Sequence, residues 1–439
     1  MTGASSAAPV APAGLVAPVC PGGAPVRPGT LPGPVRPDSP HPPSDALTDP
    51  VVARTRALAV ALLAPAAATT AESQVPRSHL DALGAAGALG TAVYRPAGPH
   101  TPAQVQRAVS ETIAAADGAT WCVFAQHHHP LREVAASPAP AVRERWLDPM
   151  TRGRVLAAVA TSHLRRPGPP AVTAVRDGDG WRLHGRLAWL TGWGIADVVL
   201  VGALTPDDRI LFALLDCDER AGLTDVRPHR LWSMAATGTV SARLDAVAVA
   251  PDRLVALHPG AGWRRADAAR RPNVNPGVFG TIAAACACLT GAGNGPEYLE
   301  LGRRIAAEAS TLRTTAYRLM DEVPAHEATT ERLAVRAAAL ELAGRAATAC
   351  VAAGGGASAT AGSLPARLLA EASFHLVQAQ TAESRTATGA RMLAVTNAVT
   401  NAPTDSATNA LTDSAPKAVT DSVTDAVTDS APNAVRSTR

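Results

Sequence analysis

The residues best equipped for chemistry in this chain are few and scattered. His127, His128 and His129 are consecutive within a helical pattern, where successive side chains point roughly 100° apart. No matching His or carboxylate partner accompanies them, so they do not make a convergent ligand set and no metal is expected. Cys286 and Cys288 form a lone C-x-C in an Ala-rich run and read as two small buried helix residues. Glu371 and His375, four apart on one helical face, read as a helix-surface pair. Arg165 and Arg166 are adjacent and of the type that grips phosphate or carboxylate, but the pair reads as exposed surface.

Composition narrows the chemistry these groups can serve. A chain of 439 residues allows two or three domains, and 47% apolar residues is ordinary for a globular protein. The net charge is +3, from 40 Lys+Arg against 37 Asp+Glu, which supplies no strong field. Neither nucleic acid nor a membrane is an expected partner. Cys20, Cys122, Cys217, Cys286, Cys288 and Cys350 lack the spacing of a disulfide framework, which fits a reducing cytoplasm. No signal-peptide pattern is read at the N-terminus, and Pro65 is expected to interrupt the most apolar stretch, residues 57–68, short of a membrane span.

The elements that must position these groups change character along the chain. Residues 1–48, crowded with Pro, Gly and Ala, read as a disordered leader. Residues 394–439 repeat variants of Val-Thr-Asp and Thr-Asp-Ser-Ala and read as a disordered low-complexity tail, too polar to offset its ordering entropy. Residues 49–152 read as a helical domain, with Ser78 capping a run over 79–89 and Thr101-Pro102 opening another to 116. Residues 153–258 hold short β-rich runs. A hairpin turn falls at 177–180, and a further turn at 205–208 separates runs at 198–204 and 210–215. Residues 272–393 contain Ala/Leu-rich runs at 277–290, 296–320, 329–353 and 363–393. The expected fold class is α+β: an N-terminal helical domain, a small central β-barrel or sandwich, and a C-terminal four-helix bundle.

Within the β segment, a Gly-rich turn is followed by a strand ending in Gly185, then Trp189-Leu-Thr191, then Ala196-Asp197 before an apolar strand. In that order these residues resemble the central β domain of the acyl-CoA dehydrogenases. The run from Val75 to Gly87 resembles that family's first domain, and residues 231–255 resemble the end of its β domain. Gly354, Gly355 and Gly356, followed by residues 364–385, resemble its last bundle helices. The resemblance spans residues 50–393. It implies an FAD-dependent oxidoreductase acting on the CH–CH group of an acyl thioester or related small molecule, as a homodimer or homotetramer. In that chemistry a carboxylate takes the α proton while the β hydride moves to flavin N5, so base, thioester and flavin must converge. By resemblance, Trp189 packs on the isoalloxazine and Thr191 bonds near its N5/O4 edge, while Thr161 and Ser162 present flavin-contacting hydroxyl and amide groups.

The chain departs from the family pattern where chemistry is done. After Thr161 the family continues Glu-Pro and then Gly-Ser-Asp, whereas this chain reads Ser162-His-Leu-Arg-Arg-Pro-Gly-Pro-Pro170. An Arg-x-x-Phe segment between the first two bundle helices is absent around residues 290–297. The position of the catalytic Glu falls on Ala379, which cannot take a proton. No Asp or Glu lies between Asp267 and Glu297, where other members place the base. No catalytic residue is therefore assigned, and Glu371, His375 and Glu383 are the local groups that could stand in. Two alternatives follow: a flavin monooxygenase, in which reduced flavin meets oxygen and no α-proton base is needed, and a non-catalytic acyl-binding subunit.

Overall fold

A computed structural model describes residues 48–400; residues 1–47, with Cys20, and residues 401–439 lie outside the described part, and with them most of the expected leader and tail. Helix α1 (Pro50–Leu58) begins under Asp49, whose carboxylate accepts from Val51 N at 2.8 Å, with proline at the position that needs no N–H. It continues through a π-helical turn, Ala59–Leu63, into α2 (Ala64–Glu72). Pro65 therefore does not interrupt the stretch as its sequence leads one to expect. It sits just past the widened turn, in which Ala64 N–H reaches Ala59 O, so its missing donor falls at a junction in the ladder. The 23 residues Pro50–Glu72 are long and apolar enough to cross a membrane by length and composition. One third of that window is buried within this chain, where Val52 and Leu63 are fully enclosed.

Helices α3 (Arg77–Ala85), α4 (Pro102–Ala116), α5 (Gly118–Ala135) and α6 (Pro140–Thr151) complete the first helical segment. Thr101 and Gln104 form a reciprocal capping box on α4, and Asp117 caps α5. Ser78 is not a cap: α3 starts at Arg77, with Pro76 in the cap position, and Ser78 lies in its first turn.

The strands are β1 (Ala157–Ala160), β2 (Val172–Asp177), β3 (Gly180–Leu190), β4 (Val198–Leu204), β5 (Arg209–Asp216), β6 (Leu223–Pro228), β7 (Val240–Val249) and β8 (Leu254–Pro259). They form one sheet in the order β6-β7-β3-β2-β4-β5-β8, with β1 added in parallel on β4. Its two halves join through a single register pair, Thr173 with Leu204. The expected hairpin joins β2 and β3, closing on Asp177 opposite Gly180. Gly185, at φ 137°, marks an irregularity in the β3–β7 register, and a Cβ there would lie 2.0 Å from Ala171 O.

After β8 come α7 (Gly260–Arg270), α8 (Pro276–Leu289), α9 (Pro296–Glu322), α10 (Thr329–Gly354), α11 (Leu364–Val377) and α12 (Ala382–Thr400). The run expected over 363–393 is thus two helices, broken at residues 378–381. Gln378 is extended and Ala379 takes φ 50°, while Arg336 Nη2 donates to Gln378 O at 2.8 Å and holds the break open. The main compact unit ends at Met392; of the second, residues 393–400 are described, and they are the end of α12 rather than tail. The bundle core is built on Phe279, Ile282, Leu312, Tyr317, Leu340 and Leu342, where a fully enclosed large apolar side chain contributes about 1.5–3 kcal/mol. The start of α8 packs directly on α5: a Cβ at Gly277 would lie 2.2 Å from the Trp121 ring, and Trp121 Nε1 donates to Ser110 Oγ on α4 at 2.8 Å.

Candidate functional site

Trp189 stands near the end of β3, 43% exposed, with its ring stacked on His229 (centroids 4.3 Å apart, planes 19° apart). Thr191 follows at the start of a turn tied back by Gly192 N to Thr237 O at 2.9 Å. The Thr191 hydroxyl lies 3.0 Å from Thr239 Oγ1, which lies 2.8 Å from Thr237 Oγ1, and Thr237 donates to Met234 O at 2.7 Å. A hydroxyl has one proton and a carbonyl none, so the directions are fixed. Thr237 spends its proton on Met234, Thr239 must donate to Thr237, and Thr191 must donate to Thr239. Thr191 is left with acceptor lone pairs. Thr161 closes β1 and is buried, Ser162 is half-buried in the short 3₁₀ turn that follows, and neither hydroxyl has a partner among the described residues. An exposed indole, an accepting hydroxyl and two uncommitted hydroxyls are group types that suit the face and edge of a planar heteroaromatic ring.

A cavity of about 520 Å³ opens between α4, α5, α7, the start of α8 and the α11–α12 break, a size suited to a small molecule. Gln378 and Ala379 lie on its wall. Its lining includes six arginines and a single carboxylate, Asp267. Asp267 is buried and held at 3.0 Å by both Arg165 and Arg271. Arg165 and Arg166 are both exposed, as their sequence leads one to expect, but Arg165 also reaches back to pair with Asp267. Arg107 makes a two-pronged bond to Asp321 at 2.8 and 2.5 Å, and Arg336 donates to the carbonyls of Arg271 (2.7 Å) and Gln378. The side chains of Arg132 and Arg270, both exposed, have no hydrogen bond or ion pair among the described residues.

The three consecutive histidines part company. His127 accepts from Ala157 N at 3.0 Å through Nδ1 and donates to Met150 O at 3.0 Å through Nε2, which joins α6 to β1 and fixes one neutral tautomer. Burial lowers its pKa to about 4. Thr91 spends its proton on Ala88 O, so His128 Nε2 donates to Thr91 Oγ1 at 3.0 Å; burial pushes the pKa of His128 well below the usual value. His128 and His129 both line the cavity, and burial lowers His129 to about 4 despite Glu133 at 3.9 Å. All three are neutral at pH 7.

Glu371 and His375 are not the surface pair their spacing implies. Both are enclosed, and each answers to a different partner. Glu371 accepts from Arg367 Nη1 at 2.9 Å and from Gly118 N at 3.2 Å; burial raises its pKa to about 7, against the pull of Arg367. His375 Nε2 pairs with Thr281 Oγ1 at 3.1 Å, its ring 5.1 Å from that of Trp121. Glu383 is exposed at the start of α12. None of the three lines the cavity beside Ala379. Cys286 and Cys288 are half-buried on α8.

No protein-family model and no curated protein matches the sequence. Solved structures do. Butyryl-CoA dehydrogenase from Megasphaera elsdenii superposes at TM-score 0.64 with 17% identity, over 78% of this chain and 97% of that one. Glutaryl-CoA dehydrogenase from Mycobacterium smegmatis, in complex with FADH2, gives 0.64 and 20% over 78% and 93%. A dibenzothiophene monooxygenase from Paenibacillus gives 0.61 and 19% over 77% and 95%. Enzymes of two reaction types thus share this architecture, and the chain has the acyl-CoA dehydrogenase fold.

Proposed function

We propose that the protein is an FAD-dependent oxidoreductase acting on an acyl thioester or related acyl compound, by a route that does not begin with proton abstraction by a carboxylate. The observation that carries this reading is the cavity wall at Ala379. The break between α11 and α12 brings a methyl group to a cavity whose one lining carboxylate, Asp267, is gripped by two arginines. His128 and His129 are neutral imidazoles on that wall, but burial lowers His129 to about 4 and His128 well below its usual value, which makes both poor acceptors for a carbon-bound proton at pH 7.

A bound flavin would supply two-electron chemistry, taking hydride from a substrate or, when reduced, passing electrons to oxygen. Trp189 would stack on it, Thr191 would offer it a lone pair, and Thr161 and Ser162 would supply hydroxyls. The cavity favours the oxygen-dependent alternative, because that route asks for no base at Ala379. A structural neighbour that is a monooxygenase supports the same choice. The protein would work as a homodimer or homotetramer.

Purified chain, reconstituted with FAD and freed of excess, is the test. An oxygen-dependent enzyme consumes oxygen faster with reduced flavin when an acyl compound is present, and its flavin is not bleached by acyl thioester without oxygen. Anaerobic bleaching would instead establish a dehydrogenase, and absence of flavin binding would leave the non-catalytic subunit.

A further inference from the structure

The six arginines on the cavity wall divide by partner. Arg107 is held by Asp321, Arg165 and Arg271 share Asp267, and Arg336 is spent on backbone carbonyls. Arg132, from α5, and Arg270, from the last turn of α7, reach the same cavity from different elements with no partner of their own. They lie close enough that the charge of Arg270 disfavours that of Arg132. Glu133 attracts both, but its carboxylate is bonded to His258 at 3.0 Å. Like charges gathered on a concave wall oppose folding and concentrate anions.

We propose that Arg132 and Arg270 form the recognition site for an anionic group on the substrate, a carboxylate or phosphate on the part of the molecule that enters this cavity. A planar guanidinium offers two parallel donors to either group, and two guanidiniums from separate helices can close on it from both sides. Both side chains are solvent-exposed at the cavity mouth, and a neutral group in the same place would gain nothing from either charge. Specificity for the anionic substrate follows from that difference. The inference rests on the cavity being the substrate site of the reaction proposed above.

The test is calorimetric titration of the full chain with glutarate, its neutral isostere glutaramide, and inorganic phosphate, with the flavin content of each sample read from its visible spectrum. Glutarate or phosphate is expected to bind saturably, and more weakly as salt is raised. Glutaramide, or the double substitution Arg132→Gln with Arg270→Gln, is expected to lower affinity by about tenfold or more. Tighter glutarate identifies a carboxylate ligand, and tighter phosphate a phosphate ester. Arg95→Gln, an exposed arginine elsewhere, should change nothing. The ligand-free double variant should melt no lower than the parent, since a repulsion has been removed; a lower melting temperature would make the pair structural and overturn the proposal. Equal binding of glutaramide, undiminished anion binding by the double variant, or no binding of either anion would also overturn it. A sample that holds flavin yet ignores both anions refutes this proposal alone, whereas anion binding without flavin refutes only the flavoenzyme reading.

Discussion

Between α4 and α9, Arg107 and Arg313 are buried beside an equal number of carboxylates. Arg107 holds Asp321, Arg313 Nε donates to Glu111 at 2.8 Å, and Tyr317 donates to Glu111 with its ring 4.4 Å and 4.7 Å from the two guanidinium carbons. Around the cavity, Arg132 and Arg270 have no such complement. The same residue type is enclosed and neutralised from within in one place, and is exposed and left for an outside partner in the other. An enclosed guanidinium needs a counter-charge from the chain itself, whereas an exposed one on a cavity wall needs none and stays available to a ligand.

The largest expected effect comes from breaking the compensated group. Glu111→Ala leaves Arg313 and Tyr317 without the acceptor and counter-charge of Glu111 and should lower stability by about 3–5 kcal/mol in denaturant unfolding. A loss below about 1 kcal/mol would place this network with ordinary surface pairs.

Acid comes next. His127 is neutral in the folded state with a pKa of about 4, against a normal value near 6.5 in the unfolded chain. The unfolded chain therefore binds the extra proton first, and stability should fall as pH drops from 6.5 to 4, by about 3 kcal/mol in all. Glu371 has the opposite sign. Its folded pKa of about 7 means the unfolded chain ionises first, so stability is lost as pH rises from about 4.5 to 7. Glu371→Gln should remove that slope and leave the rise with pH due to His127 exposed in a pH series. An unchanged profile would refute the assignment.

The smallest effect sharpens the contrast from the cavity side. Arg270→Gln alone should shift stability by no more than about 0.5 kcal/mol, the usual range for a substitution at an exposed side chain. A drop of several kcal/mol would mean that Arg270 already has its partner within the fold.

Much of the fold is legible in the sequence because its signals are local. Asp49 before Pro50, Thr101 with Gln104, and the Asp177–Gly180 turn each act within four residues, and each does what its chemistry implies. The break at 378–381 is not legible, since Gln-Ala-Gln-Thr carries neither glycine nor proline. It is made by Arg336 from α10 and by Asn275, whose Nδ2 donates to Gln378 Oε1 at 3.2 Å. Glu371 misleads for a similar reason: a Glu four residues from a His looks solvated until Gly118, far away in sequence, arrives at its carboxylate. The cavity charge was half visible. Residues 264–271 hold four arginines about one aspartate, and two of the four, Arg270 and Arg271, line the cavity. Arg107, Arg132, Arg165 and Arg336, which complete the ring, come from elements that only the fold brings together.

The π turn in the first long helix can be understood as a count of residues. Besides Val51, its buried positions are Val52, Thr55, Ala59, Leu63, Ala67 and Thr70, at intervals of 3, 4, 4, 4 and 3. A regular helix repeats every 3.6 residues, so three successive intervals of four would carry the buried stripe steadily around the axis. One residue fewer between Ala59 and Leu63 would give 3, 4, 3, 4 and 3, the ordinary amphipathic spacing. Val60, 77% exposed within the turn, is in this sense supernumerary. The widened turn absorbs it and keeps both halves in phase, and it also relieves the clash that Pro65 would otherwise make. Deleting Val60 together with Pro65→Ala should therefore leave every buried residue of this helix facing inward, whereas a deletion in α4 would turn all that follows by roughly 100°.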